Sequence, residues 1–585
     1  MDDVKSKYYQ ECISNLPTGN ITYKKINGKV YTYYQWSENG KQRSRVVKPE
    51  EFEELKQQIE QRKYMEARLK DFNIPTIFEE YHFFSSALIG NELLEFVSQI
   101  KDFNKRECYS KINDFVYGNS IDKVLILYGL RRTGKTTLIK QIINDMDKST
   151  FEKTAYLKLD STINFFKINL DMKYLLKKGY KYVFIDEATL MDDFIEGASL
   201  FSDIYASSGM KIILSGTDSL GFVFSEDREL FDRCYMVHTT FIPYREFTNV
   251  LGLCGIDNYI KYGAMSLSGE NYNLPSSFKD EKSTNEYIDS AIAHNIQHSL
   301  KNYQKGNHFR NLLNLYEANE LTNVIKRVVE HENKKFTIDI LTKNFESSDY
   351  SLVAKNLIKD KVAPTDILYL VDKEQIIEWF KKELYILNKS EMNEVITQQH
   401  VKEIEEYLKL LDLILNIDVI NMSDLDKIEY QTVITQPGMR YAQAKALVDS
   451  LMKDKLFRTL SIYERNYVTQ RLVSTILGKI MEDIVLLETK LALSNCEVFK
   501  LKFSVGEFDM VIFDPQNITC EIFEIKHSSE IHRNQIRHLL DENKLKDTTF
   551  RFGEIKRKCV IYNGDSCIVD GIEYINVEEY LMFNK

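Results

Sequence analysis

Residues 124–145 read VLILYGLRRTGKTTLIKQIIND, and this stretch decides the fold. An apolar run of strand length, Val124 to Tyr128, leads into Gly129-Leu130-Arg131-Arg132-Thr133-Gly134-Lys135-Thr136, and a stretch of helix length follows. The spacing fits G-x-x-x-x-G-K-[ST] in its strand–turn–helix context. Gly129 and Gly134 let backbone N–H groups curl around phosphate oxygens, and the helix N-terminus adds its positive dipole end. The motif predicts that Gly129, Arg132, Thr133, Gly134, Lys135, Thr136 and Thr137 hold ATP, with Lys135 on the β- and γ-phosphates and Thr136 on Mg²⁺.

Downstream, AYLKLD, YVFIDEA and IILSG are further short apolar runs separated by helix-length segments, the pattern of a parallel sheet with crossover helices. The strand Tyr182 to Asp186 ends in two acids. Asp186 is placed to hold Mg²⁺ and Glu187 to polarise the attacking water. Ser215, at the end of the next run, is placed to sense the γ-phosphate, with Thr217 as second choice. Arg228 and Arg233 are candidates for an arginine finger, acting in cis or from a neighbouring subunit.

A second constellation lies near the C-terminus. Asp509 sits in GEFDMVIF (506–513), and Glu524 and Lys526 sit in EIFEIK (521–526). Two strands joined by a short hairpin would set Asp509 beside Glu524, with Lys526 on the face of Glu524. Such a pair of carboxylates suits Mg²⁺ or Mn²⁺, a lysine beside them can orient water, and Glu482 on an upstream helix is a further candidate ligand. Charges isolated on otherwise apolar strands need a reason to be there. His527, His532 and His538, with Arg533, Gln535 and Arg537, are read as a solvated helix face or a groove lining. His294 and His298 are one helical turn apart without a third ligand, and read as surface residues.

The chain has 585 residues, 28% charged and 43% hydrophobic, with a net charge of −10. That composition is globular and excludes a uniformly basic nucleic-acid coat. It hides a basic stretch, 20–48, with seven Lys/Arg against one acid and turn signals at Asn27-Gly28 and Asn39-Gly40. Lys24, Lys25, Lys29, Arg43 and Arg45 could meet phosphates there while Tyr23, Tyr31, Tyr33, Tyr34 and Trp36 stack on bases. Alternatively, a small β-domain buries those aromatics. A helix is expected over about 49–70. Residues 250–420 read as polar helices framing a short FTIDILTKNF segment (336–345), an order compatible with a winged-helix unit. The eight cysteines form no C-x-x-C pair and read as buried thiols of a reducing compartment. No apolar h-region or membrane-length run occurs, so a soluble, cytoplasmic protein is expected.

The combination resembles the bacterial and archaeal ATP-binding proteins in which an AAA+/STAND-like P-loop ATPase is fused to a winged-helix region and a C-terminal PD-(D/E)xK nuclease-fold domain. The residues that carry the resemblance are GLRRTGKT (129–136), FIDEA (184–188), LSGTDSLGF (214–222), FDRCYMVHTTFIPYREF (231–247), GKIMED (478–483), EFDMVIF (507–513) and FEIKHS (523–528). It implies an α/β multi-domain chain. Residues 1–70 fall outside the resemblance and read as a small basic β+helix accessory domain, and 71–250 would be the ATPase. Residues 251–425 would be helical or winged-helix, and 426–585 an α+β restriction-endonuclease-like domain. It further implies Arg233 as the finger, Asp509, Glu524 and Lys526 as the nuclease core with Glu482 upstream, DNA as the substrate, homo-oligomers, and a place in antiviral defence or mobile-element biology. The reading held beside it is an ATP-driven assembly or signalling switch whose nuclease fold only binds.

Overall fold

A computed structural model describes residues 16–583 except 27–28, 39–40, 73–80, 101–103, 192–193, 218–221, 223–229, 231, 240, 264–277, 279, 294, 298–299, 301–308, 318–319, 347–374, 376–377, 379–396 and 459. The chain divides into two units, Met1–His82 and Phe83–Lys585.

The first unit is an antiparallel sheet of β1 (Asn20–Ile26), β2 (Lys29–Glu38) and β3 (Lys41–Val46), followed by α1 (Pro49–Phe72). Register sets Tyr34 opposite Ile21 and Arg45, and Trp36 opposite Arg43. Tyr34 and Trp36 stack at 5.0 Å and close a small core with Val47, Leu55 and Ile59.

The second unit opens with β4 (Ser86–Leu88), α2 (Gly90–Ser98) and α3 (Tyr109–Tyr117). It continues through β5 (Val124–Tyr128), α4 (Lys135–Asn144), β6 (Thr154–Lys158), α5 (Phe165–Lys177), β7 (Tyr182–Asp186), β8 (Lys211–Gly216) and β9 (Cys234–His238). The sheet order is β4-β6-β7-β8-β5-β9, parallel except for the β4–β6 edge pair. The crevice beyond the C-terminal ends of β5, β7 and β8 is where such sheets bind ligands.

The chain then forms α6 (Tyr244–Leu251), α7 (Ile256–Tyr262), α8 (Glu281–Tyr287), α9 (Leu321–Glu346), α10 (Gln398–Leu410), α11 (Pro437–Lys453) and α12 (Ile462–Ala492). The FTIDILTKNF segment is not a separate strand: it lies inside α9. Its alternating Phe336, Ile338 and Ile340 imitate a strand. Yet Leu321, Val324, Ile325, Val328, Val329, Asn333, Thr337 and Ile338 are the buried positions, a helical repeat. Residues 347–374, 376–377 and 379–396, part of the stretch read as polar helices, lie outside the described residues.

The C-terminal sheet runs β11-β10-β12-β13-β14-β15-β17-β16. Its strands are β10 (Ile414–Asn421), β11 (Asp424–Ile434), β12 (Glu497–Lys502), β13 (Glu507–Asp514), β14 (Thr519–Lys526), β15 (Glu554–Tyr562), β16 (Cys567–Val569) and β17 (Ile572–Asn576). Two more helices, α13 (Glu542–Phe552) and α14 (Val577–Phe583), flank it. The sheet therefore takes in residues ahead of the 425/426 boundary expected from sequence, which falls inside β11. Cys520 and Cys559 are buried, whereas Cys254 and Cys567 are exposed free thiols, against the expectation of uniform burial. Among the described residues no helix is long and apolar enough to cross a membrane.

Candidate functional site

The loop between β5 and α4 bends through φ 146° at Gly129, 67° at Arg132 and 89° at Gly134. Only glycine takes the first and last without strain. Arg131, Arg132, Lys135, Thr136, Thr137 and Glu187 line an open cleft of about 220 Å³. Lys135 is 6% exposed, and its Nζ donates to the carbonyls of Gly129 at 2.7 Å and Leu130 at 2.8 Å. Burial pushes this ammonium down to about 8, against the opposing pull of Glu187 and Asp186. Arriving phosphates would replace the two carbonyls as its partners and restore full charge. Thr133 is buried and hydrogen-bonded to Leu130 and Thr239, so it shapes the loop from behind.

Asp186 is the hub of the site. It accepts hydrogen bonds from Thr136 (3.0 Å), Tyr156 (2.8 Å), Ser215 and the Glu187 amide (3.2 Å). The Thr136 hydroxyl beside the Asp186 carboxylate is the donor set that suits Mg²⁺. Ser215 thus contacts the Asp186 carboxylate. Glu187 stands at a left-handed turn (φ 57°), with Thr217 Oγ1 at 3.3 Å. Burial and the neighbouring Asp186 charge raise its carboxyl, as suits a group that takes a proton from water.

Arg233 lies elsewhere. Its carbonyl accepts from the amide of Val124, at the start of β5, whereas Gly129 follows the end of that strand. Five strand residues at about 3.3 Å each separate the two edges. Arg233 therefore does not reach the phosphate loop of its own chain, and its guanidinium meets Asp203 at 3.1 Å. Arg228 lies outside the described residues, as do His294 and His298.

The C-terminal constellation assembles on β13 and β14. Met510 pairs with Phe523, so Asp509 and Glu524 are neighbours across the hairpin. Lys526 Nζ bridges Asp509 at 2.7 Å and Glu524 at 2.6 Å, and the Ile525 amide also donates to Asp509 at 2.8 Å. Burial would raise Asp509, but Lys526, Lys500 and that amide outweigh it and hold the carboxyl well below its usual range. Burial and the Asp509 charge push Glu524 upward, and its Oε1 is buried with no hydrogen-bond partner. A divalent cation would satisfy such an oxygen. Glu482 does not complete a cage: Lys479 and the buried Lys500 hold it. Among the described residues no three His, Cys, Asp or Glu side chains converge to hold a metal. Lys500, also 3.2 Å from Glu507, was missed in the sequence, where it reads as an ordinary strand residue.

Residues 121–248 match the family model described as an AAA domain. They form an AAA-type P-loop ATPase domain. Residues 2–57 match a domain of unknown function, DUF6788. No curated protein sequence matches the chain. Among solved structures it is similar to the S. cerevisiae Hsp104–ADP complex, at 16% identity and TM-score 0.22 over 66% of this chain and 50% of that one. It is also similar to the S. cerevisiae Hsp104:casein complex (14%, TM-score 0.24, covering 58% and 60%). A third is the Aeropyrum pernix ORC1 protein in complex with DNA (10%, TM-score 0.20, 61% and 94%). The chain thus spans half the length of the first Hsp104 chain.

The ATPase domain is tied to the C-terminal sheet by contacts between residues distant along the chain. Arg106 donates to the Thr133 carbonyl at 2.8 Å from behind the phosphate loop and pairs with Glu246 of α6 at 2.7 Å. At the head of α6, the Tyr244 amide donates to Glu488 of α12 at 2.7 Å, and the Tyr244 hydroxyl to Glu578 of α14 at 2.6 Å. Asp257 of α7 meets His527, the residue after Lys526, at 2.7 Å. That contact gives His527 a structural place. His532 is exposed and 3.3 Å from Glu530, Arg533 is exposed, and the Gln535 side chain accepts from the His532 amide.

In the first unit the basic residues divide between two faces. Lys24 is opposite Tyr31, on the face away from the core, with its ammonium 5.0 Å from the Tyr33 ring. Lys25, Arg43 and Arg45 fall on the face of Tyr34 and Trp36, and Arg45 pairs with Glu51 at 2.6 Å. Lys29 opens β2. Tyr34 and Trp36 are core residues, which leaves Tyr23 and Tyr31, 64% and 40% exposed, as the aromatic surface.

Proposed function

We propose that this chain is an ATP-hydrolysing, nucleic-acid-processing protein whose P-loop domain controls a metal-dependent PD-(D/E)xK nuclease site. The observation that carries the reading is Lys526 bridging Asp509 and Glu524 on adjacent strands. Control by nucleotide is supported by the contacts that run from Thr133 through Arg106, Glu246 and α6 to α12, the helix that bears Glu482.

At the ATPase site, Lys135 neutralises the β- and γ-phosphates, Thr136 and Asp186 would hold Mg²⁺, and Glu187 takes the proton of the attacking water. Ser215 holds the Asp186 carboxylate in place. At the second site, Asp509 and Glu524 would hold Mg²⁺ or Mn²⁺, which supplies Lewis-acid activation of a phosphodiester when bound. Lys526 orients the water there and offsets charge on the phosphoryl oxygens. DNA is the proposed substrate. Homo-oligomers would let Arg233 serve a neighbour's nucleotide. Antiviral defence or mobile-element control in the cytoplasm is the proposed setting, and the exposed Lys24–Tyr31 face of the first unit would add a nucleic-acid contact.

The test incubates the purified chain with plasmid, linear and single-stranded substrates, with and without ATP and Mn²⁺, beside Lys135→Ala and Asp509→Ala. Cleavage lost in Asp509→Ala with ATP hydrolysis intact supports the reading; no metal-dependent cleavage by the intact protein overturns it. One observation favours the second reading, an ATP-driven assembly switch: Glu482 is neutralised by Lys479 and Lys500 without any metal. In that case ATP changes oligomer size and Lys526→Ala leaves the response unchanged.

A further inference from the structure

Lys544 of α13 is 6% exposed, and the acids that act on it, Asp541 and Glu524, form no ion pair with it within 4.0 Å among the described residues. Its ammonium donates to His538 Nδ1 at 2.5 Å and lies 5.0 Å from the Phe503 ring. The imidazole of His538 lies flat against Gly506, three residues before Asp509: a Cβ there would fall 2.3 Å from the ring. His538 is within electrostatic reach of Lys526 and Asp509, and Lys544 of Glu524. This places the pair beside the carboxylate–lysine cluster, with Arg537 adjacent.

A buried ammonium with no acid in direct contact is unfavourable unless an anion or deprotonation relieves it. Donation by Lys544 to Nδ1 leaves the imidazole proton to Nε2, which faces the Arg537 guanidinium at 3.5 Å, so the pocket gathers donors and no negative charge. The carboxylates of the neighbouring cluster, Asp509, Glu524, Glu482 and Glu507, are already paired by Lys526, Lys500 and Lys479.

We propose that Lys544 and His538 form a phosphate-binding subsite that takes a phosphodiester group flanking the one held at Asp509, Glu524 and Lys526. The identity of that phosphate as nucleic acid rests on the function proposed above; the anion site itself does not.

The experiment uses the full chain in a Lys135→Ala background, which removes phosphate binding at the P-loop. Inorganic phosphate is titrated while the thermal midpoint is followed. Separately, binding of a 5′-fluorescein-labelled oligonucleotide is measured in EDTA at several salt concentrations. The expected result is a midpoint rise that Lys544→Met and His538→Gln lose and Lys544→Arg retains. Oligonucleotide affinity is expected to fall about tenfold in Lys544→Met, with the salt slope reduced by about one. Circular dichroism checks that each variant is folded. If phosphate protects the parent and not Lys544→Met, but no oligonucleotide binds the parent, the subsite stands and the nucleic-acid reading falls. If Lys544→Met keeps the parent's phosphate response, oligonucleotide affinity and salt slope, the subsite is overturned.

Discussion

The Arg106 guanidinium meets the Glu246 carboxylate at 2.7 Å with the two side chains only 9% and 3% exposed, and the same guanidinium holds the Thr133 carbonyl of the phosphate loop. A charge buried so deeply depends on its partner: removing one member of such a pair leaves the other uncompensated, at about 3 kcal/mol or more. Glu246→Gln is therefore expected to lower unfolding stability by about that amount in urea titrations. It should also weaken ATP binding, because Arg106 would no longer be fixed behind Thr133. A variant with wild-type midpoint and wild-type ATP affinity would remove this pair from the account of the loop.

Lys135 and Glu187 should separate binding from chemistry. Lys135→Ala is expected to abolish ATP binding, since no other ammonium enters the phosphate cleft among the described residues. Glu187→Gln keeps the cleft's shape and removes the proton acceptor, so ATP should bind near wild-type strength while turnover falls about 10²–10⁴-fold. Filter binding and phosphate release measure the two quantities. Unchanged turnover in Glu187→Gln would assign the base elsewhere.

Burial lowers Lys135 to about 8, so near that pH the nucleotide-free chain carries it partly neutral. ATP brings anionic oxygens to the same ammonium and raises its affinity for a proton. Binding at pH about 8 should take up a fraction of a proton, and at pH about 6.5 none from this group. Calorimetry in two buffers of different ionisation enthalpy reads the uptake directly. Equal heats in both buffers at the higher pH would show that Lys135 is fully charged before ATP arrives.

What the sequence made legible was chemistry carried on contiguous residues. The phosphate loop, the acids that end β7 and the β13–β14 hairpin are local patterns, and each sits where its spacing implied. Partners distant along the chain were not legible. Arg106 lies in a stretch with no periodicity, and its side-chain hydrogen bonds reach residues 27 to 140 positions away. Tyr156 is one apolar-strand residue among several until Asp186 comes to face it. For Arg233 the resemblance implied a finger without saying whose nucleotide it serves, and strand direction puts the residue at the edge of the sheet far from its own phosphate loop. In sequence the 336–345 segment reads as set apart from its flanking helices, whereas the helical repeat of α9 runs through it to Ile338.

Glu488 offers a test of the joint between the ATPase domain and the C-terminal sheet. It is 1% exposed, its Oε1 accepts from the Tyr244 amide, and its Oε2 has no hydrogen-bond partner. Burial pushes its carboxyl from 4.5 up to about 8, against the Tyr244 amide and Arg245. Below pH 4.5 the folded and unfolded chains both hold the proton, and the contribution of Glu488 to stability is intact. Between 4.5 and about 8 only the folded chain holds it, so this group makes stability fall as pH rises, and above about 8 the loss is complete. The slope from one such group is about 1.4 kcal/mol per pH unit. Glu488→Gln replaces the protonated acid with a neutral group of the same shape and has nothing to titrate. Its thermal midpoint should approximate the parent's at pH about 5 and exceed it increasingly toward pH about 8. Parallel midpoints across that range would mean that Glu488 is ionised in the fold, and that Tyr244 is held by a buried anion.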